Sequence, residues 1–334
     1  MSSGSTASDT SVAAIVETRG LTRRYGATLA LNQLNLAIPQ GAIYGFIGPN
    51  GAGKTTTMRI LTTLLLPSDG EAWVAGYSVV RDRAAVRRAV GFMPDFFGVY
   101  DNMKAAEYLE FFAAAYDIAP ARRPRLIDDL LALVDLSHKK EAEVMGLSRG
   151  MKQRLSLART MLHDPALLIL DEPASGLDPR ARVELRELLK ELRAMGKTIM
   201  ISSHILTELA EMCTHIGIIE RGNLLASGDV ATIMRELQPH RVFEVQVLAD
   251  TEPGAAAALE QAAALVRGQP HVLAVRVLPE DEPPHMQIDF DGDDRAVSGL
   301  LGRLMAAGIP VTHFAGQASD LEEIFLRVTE GVTG

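Results

Sequence analysis

Gly48-Pro49-Asn50-Gly51-Ala52-Gly53-Lys54-Thr55 is the stretch from which the rest of the chain can be read. An apolar run, residues 42–47, leads into it, and a helical stretch, residues 55–65, leaves it. The pattern G-x-x-x-x-G-K-[ST] between a strand and a helix belongs to phosphate-binding loops. Its glycines let the backbone curl until successive N–H groups point inward at an anion. The helix that follows adds its positive N-terminal end. Lys54 is then set to reach the β and γ phosphates of a nucleotide, and the Thr55 hydroxyl to ligate Mg²⁺. An ordinary glycine-rich turn is the bland alternative, and the downstream sequence argues against it.

Leu167-Leu168-Ile169-Leu170-Asp171-Glu172 is an apolar strand ending in two carboxylates. In a P-loop fold this strand is expected beside the first, with its end pointing at the nucleotide. Asp171 would hold Mg²⁺, directly or through water, and Glu172 would polarise the attacking water as general base. Pro173 and Ser175-Gly176-Leu177-Asp178 follow, and a third buried strand spans residues 198–203. Between the first two strands, roughly residues 95–163, apolar residues recur near every 3.6 positions, which predicts a helix-rich insert. Strands alternating with helices predict an α/β core.

Taken together, these elements resemble the ATPase subunits of ABC transporters over residues 15–238. Leu147-Ser148-Arg149-Gly150-Met151 looks like the family's signature sequence, Ser175–Asp178 like its D-loop, and His204 like its switch histidine. Tyr25, just before Gly26, looks like the aromatic that stacks on adenine. The resemblance implies that Tyr25 and the loop from Gly48 through Thr55 and Thr56 contact ATP. It implies catalytic roles for Glu172 and His204, and a metal held by Thr55 and Asp171. It also implies that two subunits sandwich two ATP molecules head to tail, each loop facing the other subunit's signature. Ser148 suits a helix N-cap, with Met151, Leu155, Ala158 and Leu162 on one face of the helix it starts. A second anion site at that helix start follows from the same physics.

Two positions depart from the family pattern. Arg149 and Met151 replace the usual second glycine and glutamine of the signature, and Arg149 adds a positive charge near the expected phosphate. Asp95, in Gly91-Phe92-Met93-Pro94-Asp95, replaces a glutamine that normally touches metal or water and relays motion to the membrane subunit. An aspartate ligates Mg²⁺ but donates no hydrogen bond when ionised. Phe96, Phe97, Val99 and Tyr100 come next and either line a groove for the membrane partner or form core of the insert.

The chain has 334 residues, enough for two domains, with 47% apolar residues to build their cores. Residues 241–334 hold six Lys/Arg against fifteen Asp/Glu, which accounts for the whole formal charge of −9 and marks a boundary near residues 238–241. Such acidity argues against nucleic acid as a partner. The order strand 241–249, helix 253–267, strands 271–278 and 285–290, helix 294–307, strand 309–314 and helix 319–330 predicts a small α+β ferredoxin-like domain over residues 241–330. Residues 1–14 read as a disordered tail. Cys213 is the only cysteine, so no internal disulfide is expected, and no stretch approaches a membrane span. The expectation is a cytoplasmic ATPase on the inner face of the cell membrane, docked on a separate membrane-spanning permease and paired with a second copy of itself. The single cassette with a small acidic extension resembles bacterial drug- and antibiotic-resistance exporters. Soluble relatives acting on ribosomes or DNA carry two cassettes or a long coiled-coil insertion, and this chain has neither. The presence of Glu172 and His204 argues against a nucleotide sensor that does not hydrolyse.

Overall fold

The computed structural model describes residues 13–95, 103–204, 209, 212–237, 241–248 and 252–316. Contacts cluster into two compact units that divide between Ile233 and Met234.

The first unit contains two sheets. One is formed by β1 (Ala14–Tyr25), β2 (Thr28–Leu34), β3 (Ala37–Pro39), β5 (Asp69–Val74) and β6 (Tyr77–Ser78), in the order β2-β1-β5-β6 with β3 also on β1. The other is formed by β4 (Ile43–Ile47), β7 (Val90–Met93), β8 (Leu167–Leu170), β9 (Thr198–Ser203), β10 (His215–Glu220) and β11 (Asn223–Asp229), in the order β11-β10-β4-β9-β8-β7. From β10 to β7 every neighbour is parallel, and β11 closes the edge as a hairpin. β4, β8 and β9 are buried at every residue. Parallel strands covered on both faces carry continuous apolar runs, not alternation, which is how residues 42–47 and 166–170 read.

One expectation needs correcting. The Asp171 strand does not lie beside the strand that feeds the phosphate loop, because β9 runs between them, Gly45 pairing with Ile201 and Ile169 with Met200. The chain leaves β8 through α6 (Pro179–Ala194) and returns alongside it, a connection between neighbouring parallel strands. β9 can take that interior place because all six of its residues are buried, although it ends in two serines.

α1 (Lys54–Leu61) packs between the sheets, and one apolar cluster joins Tyr44, Phe46, Met58, Leu61 and Ile169 to Val16, Leu31, Ile38 and Val74. The helix stops short of residue 65. Thr62 turns its hydroxyl back onto the Met58 carbonyl at 2.8 Å, and Thr63 adopts a left-handed φ of 62°. α2 (Arg83–Ala89) precedes β7. The helix-rich insert comprises α3 (Ala105–Ala115), α4 (Arg123–Leu133) and α5 (Arg149–Met161), packed through Tyr108, Leu109, Ile127, Leu131 and Leu155. Phe96, Phe97, Val99 and Tyr100 lie outside the described residues.

α7 (Val230–Leu237) crosses the division. The second unit contains β12 (Arg241–Val247), α8 (Glu252–Val266), β13 (Val272–Leu278), β14 (His285–Phe290), α9 (Asp294–Ala306) and β15 (Val311–Gly316). Its sheet runs β13-β14-β12-β15, antiparallel at each step, the split βαββαβ order of a ferredoxin-like fold. Met286, Ile288 and Phe290 alternate with less buried residues, so one sheet face carries the core, together with Leu259 and Ala262 of α8 and Leu300 and Leu304 of α9. β15 begins two residues later than the sequence suggests. Gly308 turns with a φ of 78°, and Pro310 has no N–H for the ladder. The apolar helix expected over residues 319–330 lies outside the described residues.

Candidate nucleotide-binding site

The loop after β4 can be occupied only by small residues at two points. A Cβ on Gly48 would sit 2.2 Å from the Ile219 carbonyl oxygen. On Gly53, whose φ is 112°, it would sit 2.7 Å from Leu31 Cδ2 and 2.8 Å from the Ala30 oxygen. The loop is therefore pressed against β2 and β10. Gly222 N donates to the Ala52 carbonyl at 2.9 Å, and Ala52 N to that of Pro49 at 3.2 Å. Gly53 occupies the N-cap of α1 and makes no side-chain cap, so the first amides of the helix have no side-chain acceptor there.

Lys54 is 6% exposed. Its Nζ donates to the Gly48 carbonyl at 2.6 Å and lies 3.5 Å from Glu172 Oε1. Burial pushes its pKa down, and Glu172 partly restores it. Thr55 is exposed and Thr56 half-buried, whereas Thr57 is buried and spends its hydroxyl on the Gly53 carbonyl at 3.0 Å.

The two carboxylates follow β8 directly, beside the end of β9. Asp171 is 3% exposed, and its amide donates to the Met93 carbonyl at 2.9 Å. Ser202, at the end of the interposed β9, donates to Asp171 Oδ1 at 2.6 Å and accepts the Glu172 amide at 2.8 Å. Glu172 has a left-handed φ of 50°, rare for a residue with a side chain. Its Oε2 lies 2.9 Å from His204 Nδ1. Asp95, two residues beyond β7, has its carboxyl pKa pushed up by burial and then by Asp171 and Glu172, with Arg149 and His204 opposing. Thus Lys54, Asp95, Asp171, Glu172 and His204 converge where the parallel strands end.

Ser202 was not singled out from sequence. The available signal was a hydroxyl one residue after an apolar strand and two before His204, which has meaning only once β9 is known to run between β4 and β8.

Among the described residues no hydrogen bond or ion pair joins residues 147–151 to residues 48–56. Leu147 is 6% exposed, Ser148 and Arg149 are exposed, and Gly150 and Met151 are half-buried. The Ser148 hydroxyl oxygen accepts the Met151 amide at 3.3 Å as the N-cap of α5, which leaves its hydrogen free to donate. Leu155, Ala158 and Leu162 are buried as the periodicity predicts. The Arg149 guanidinium lies over Gly176, where a Cβ would come within 2.5 Å of it. Gly176 needs its φ of 66° as well as that close approach. Asp178 caps α6, accepting the Ala181 amide at 2.9 Å. Tyr25 stands 44% exposed at the tip of the β1–β2 hairpin, the hairpin whose second strand abuts Gly53.

Comparison with known proteins agrees with this geometry. Residues 31–175 match the ABC transporter family model. Over 317 residues the chain is 32% identical to the Nod factor export ATP-binding protein I of Cupriavidus pinatubonensis (strain JMP 134 / LMG 1197), covering 95% of this chain and 91% of that one. It is 32% identical over 310 residues to the daunorubicin resistance ATP-binding protein DrrA3 of Streptomyces coeruleorubidus, covering 93% and 94%. It is 42% identical over 212 residues to the bacitracin transport ATP-binding protein BcrA of Bacillus licheniformis, covering 63% and 68%. A solved ATP-binding subunit of an ABC transporter superposes with a TM-score of 0.61 at 31% identity, covering 66% of this chain and 92% of that one. The chain belongs to the ATP-binding subunits of ABC transporters, and it is an ATPase.

Proposed function

We propose that two copies of this chain close head to tail on two ATP molecules and, by hydrolysing them, drive a separately encoded membrane-spanning permease that exports its cargo. The observation that carries this reading is the convergence of Lys54, Asp171, Glu172 and His204 at the ends of adjoining parallel strands. Residues 15–238 act as the cassette, with residues 241–330 as an accessory unit; Ala14 pairs with Pro39 in β1 and so belongs to the cassette and not to the tail expected over residues 1–14. The names of the relatives, concerned with Nod factor export, bacitracin transport and daunorubicin resistance, support export. Among the described residues no helix is long and apolar enough to cross a membrane; docking on a separate permease at the inner face is part of the proposal.

Asn50, Gly51 and Gly53 offer backbone amides to the phosphates, while Gly48, Pro49 and Ala52 shape the loop that presents them, the Gly48 amide going to Ser203 and the Ala52 amide to Pro49, with Thr56 on the first turn behind them and Tyr25 under the adenine. Lys54 supplies the cation. The donors present fit Mg²⁺, a hard ion that takes oxygen ligands. Asp171 keeps one carboxylate oxygen on Ser202 and has another to offer, beside the Thr55 hydroxyl and the Asp95 carboxylate. When bound, Mg²⁺ would offset the negative charge of the phosphates. Glu172 accepts the proton of a water molecule as its oxygen bonds to the γ-phosphorus and the bond to the ADP oxygen breaks. His204 holds the other Glu172 oxygen and so fixes its direction. The partner's Ser148 hydroxyl and Gly150 amide donate to the same phosphate from across the dimer, beside Leu147, Arg149 and Met151, while Asp178 fixes the D-loop.

Glu172→Gln keeps the shape but cannot take a proton, so turnover should fall by about 10²–10⁴. With ATP and Mg²⁺ the variant should elute at the mass of a dimer in size-exclusion chromatography. A variant that stays monomeric at saturating ATP would refute the sandwich. One that hydrolyses ATP at the wild-type rate would remove Glu172 as the base.

A further inference from the structure

Tyr25 is not a free ring at the tip of its hairpin. The guanidinium of Arg23, two residues earlier on β1, lies over one face of the ring, 4.7 Å from its centroid. Arg23 is half-buried, and its Nη1 donates to the Leu66 carbonyl at 2.9 Å. Its Nε is shielded from solvent without a hydrogen-bond partner. A shielded donor left unmatched is costly, so the guanidinium is held where it is by other interactions. The ring face and the Leu66 carbonyl are the two that the geometry supplies.

Leu66 belongs to the turn that ends α1. The amides of Leu64 and Leu65 both donate to the Arg59 carbonyl, at 2.9 and 3.0 Å. Ser68 ties the same turn to β1, its amide donating to the Thr22 carbonyl at 2.8 Å and its hydroxyl accepting the Arg24 amide at 3.0 Å. Lys54 is the first residue of α1. A continuous set of contacts therefore runs from the Tyr25 ring through Arg23 and Leu66 into the helix that carries the phosphate lysine.

The geometry points to Arg23 as a positioning residue for the nucleobase. It rests on the reading of Tyr25 as the base platform. Arg23 occupies one face of the ring, so a base can stack only on the other, and the cation fixes the ring's tilt relative to α1. A ring held before ATP arrives loses less rotamer freedom on binding, and that saving appears as affinity for the base alone. The Arg23 guanidinium is engaged by the Tyr25 ring and the Leu66 carbonyl, while α1 and its loop hold the phosphates.

The test uses two probes on the full chain, ATP and inorganic tripolyphosphate, which has no base, both measured by calorimetry with Mg²⁺ fixed. Tyr25→Ala should weaken ATP by about tenfold, as loss of a base–aromatic stack does, and leave tripolyphosphate unchanged. Arg23→Gln should weaken ATP by about two- to fivefold, the range of a surface cation–π contact, and leave tripolyphosphate unchanged. Arg23→Lys, which keeps a cation and a donor, should recover part of the loss. In the Tyr25→Ala background Arg23→Gln should change nothing further. If Tyr25→Ala binds ATP normally, the base-platform reading fails and the inference with it. If Tyr25→Ala weakens ATP but Arg23→Gln does not, the inference alone is overturned. If Arg23→Gln weakens both probes equally, Arg23 is a general support of the fold and the inference is likewise overturned.

Discussion

Replacing Ser202 by alanine removes one oxygen from a fully buried site and breaks two hydrogen bonds at once. The first is the 2.6 Å bond to Asp171 Oδ1, a carboxylate with 3% of its surface exposed. The second is the 2.8 Å bond from the Glu172 amide, which sits on a backbone already in the left-handed region. Loss of a hydrogen bond to a charged group costs about 1.5–3 kcal/mol and loss of a neutral one about 1 kcal/mol, so the variant should be less stable by roughly 2–4 kcal/mol. For a unit of this size each kcal/mol lowers the melting temperature by about 2–4 °C, which places the expected shift at about 4–16 °C. Calorimetry of the first unit's transition measures it. ATP turnover should fall by on the order of 10-fold or more, since the Asp171 carboxylate and the Glu172 backbone both lose the hydroxyl that holds them. Ser202→Thr keeps the hydroxyl and should retain more activity than Ser202→Ala. A Ser202→Ala protein that melts and hydrolyses like the wild type would refute the claim that Ser202 holds the Asp171 carboxylate and the Glu172 backbone in place.

Lys54→Ala should abolish measurable ATP binding in calorimetry, because the phosphates lose the side-chain cation placed beside them; near-normal binding would contradict the assignment. Asp95→Gln should shift the Mg²⁺ midpoint for hydrolysis and leave nucleotide affinity nearly intact. The sign of its pH dependence follows from the raised carboxyl pKa: Asp95 holds its proton to higher pH than an ordinary aspartate, so protons compete with the metal sooner as pH falls. The wild-type Mg²⁺ midpoint should therefore climb as pH drops toward that raised value, and the Asp95→Gln midpoint should stay level. Superimposable titrations would make Asp95 a turn residue only.

The phosphate loop was legible because its information is local. A glycine that must adopt a φ of 112° and a lysine next to it are neighbours in sequence, so spacing alone describes the site. Asp171 and Glu172 were legible for the same reason, at the end of an apolar run. Ser202 was not, because a serine ending a strand acquires a role only from strand order, and strand order is a tertiary fact. The position of Arg149 escaped in the same way. Its charge was evident, and its resting place over Gly176 depends on α5 and the D-loop being packed side by side. The second unit's topology was read from its alternating strands, whose register reports which face is buried. Its edges shifted where Gly308 and Pro310 overrode the apolar pattern.

Glu172 carries a consequence for how this chain tolerates change. Its left-handed backbone is a conformation glycine or asparagine would adopt at lower cost, worth on the order of 1 kcal/mol. In its backbone conformation alone, heat resistance would therefore favour losing the very side chain on which turnover is proposed to depend, and only the pairing of that side chain with Lys54 and His204 opposes the loss. Random variants ranked by melting temperature would be enriched for inactive proteins at this position, so stabilising this ATPase by screening requires activity to be read alongside. The strain at Glu172 is a fixed cost of aiming a carboxylate out of a strand end, and it locates where robustness and turnover pull in opposite directions.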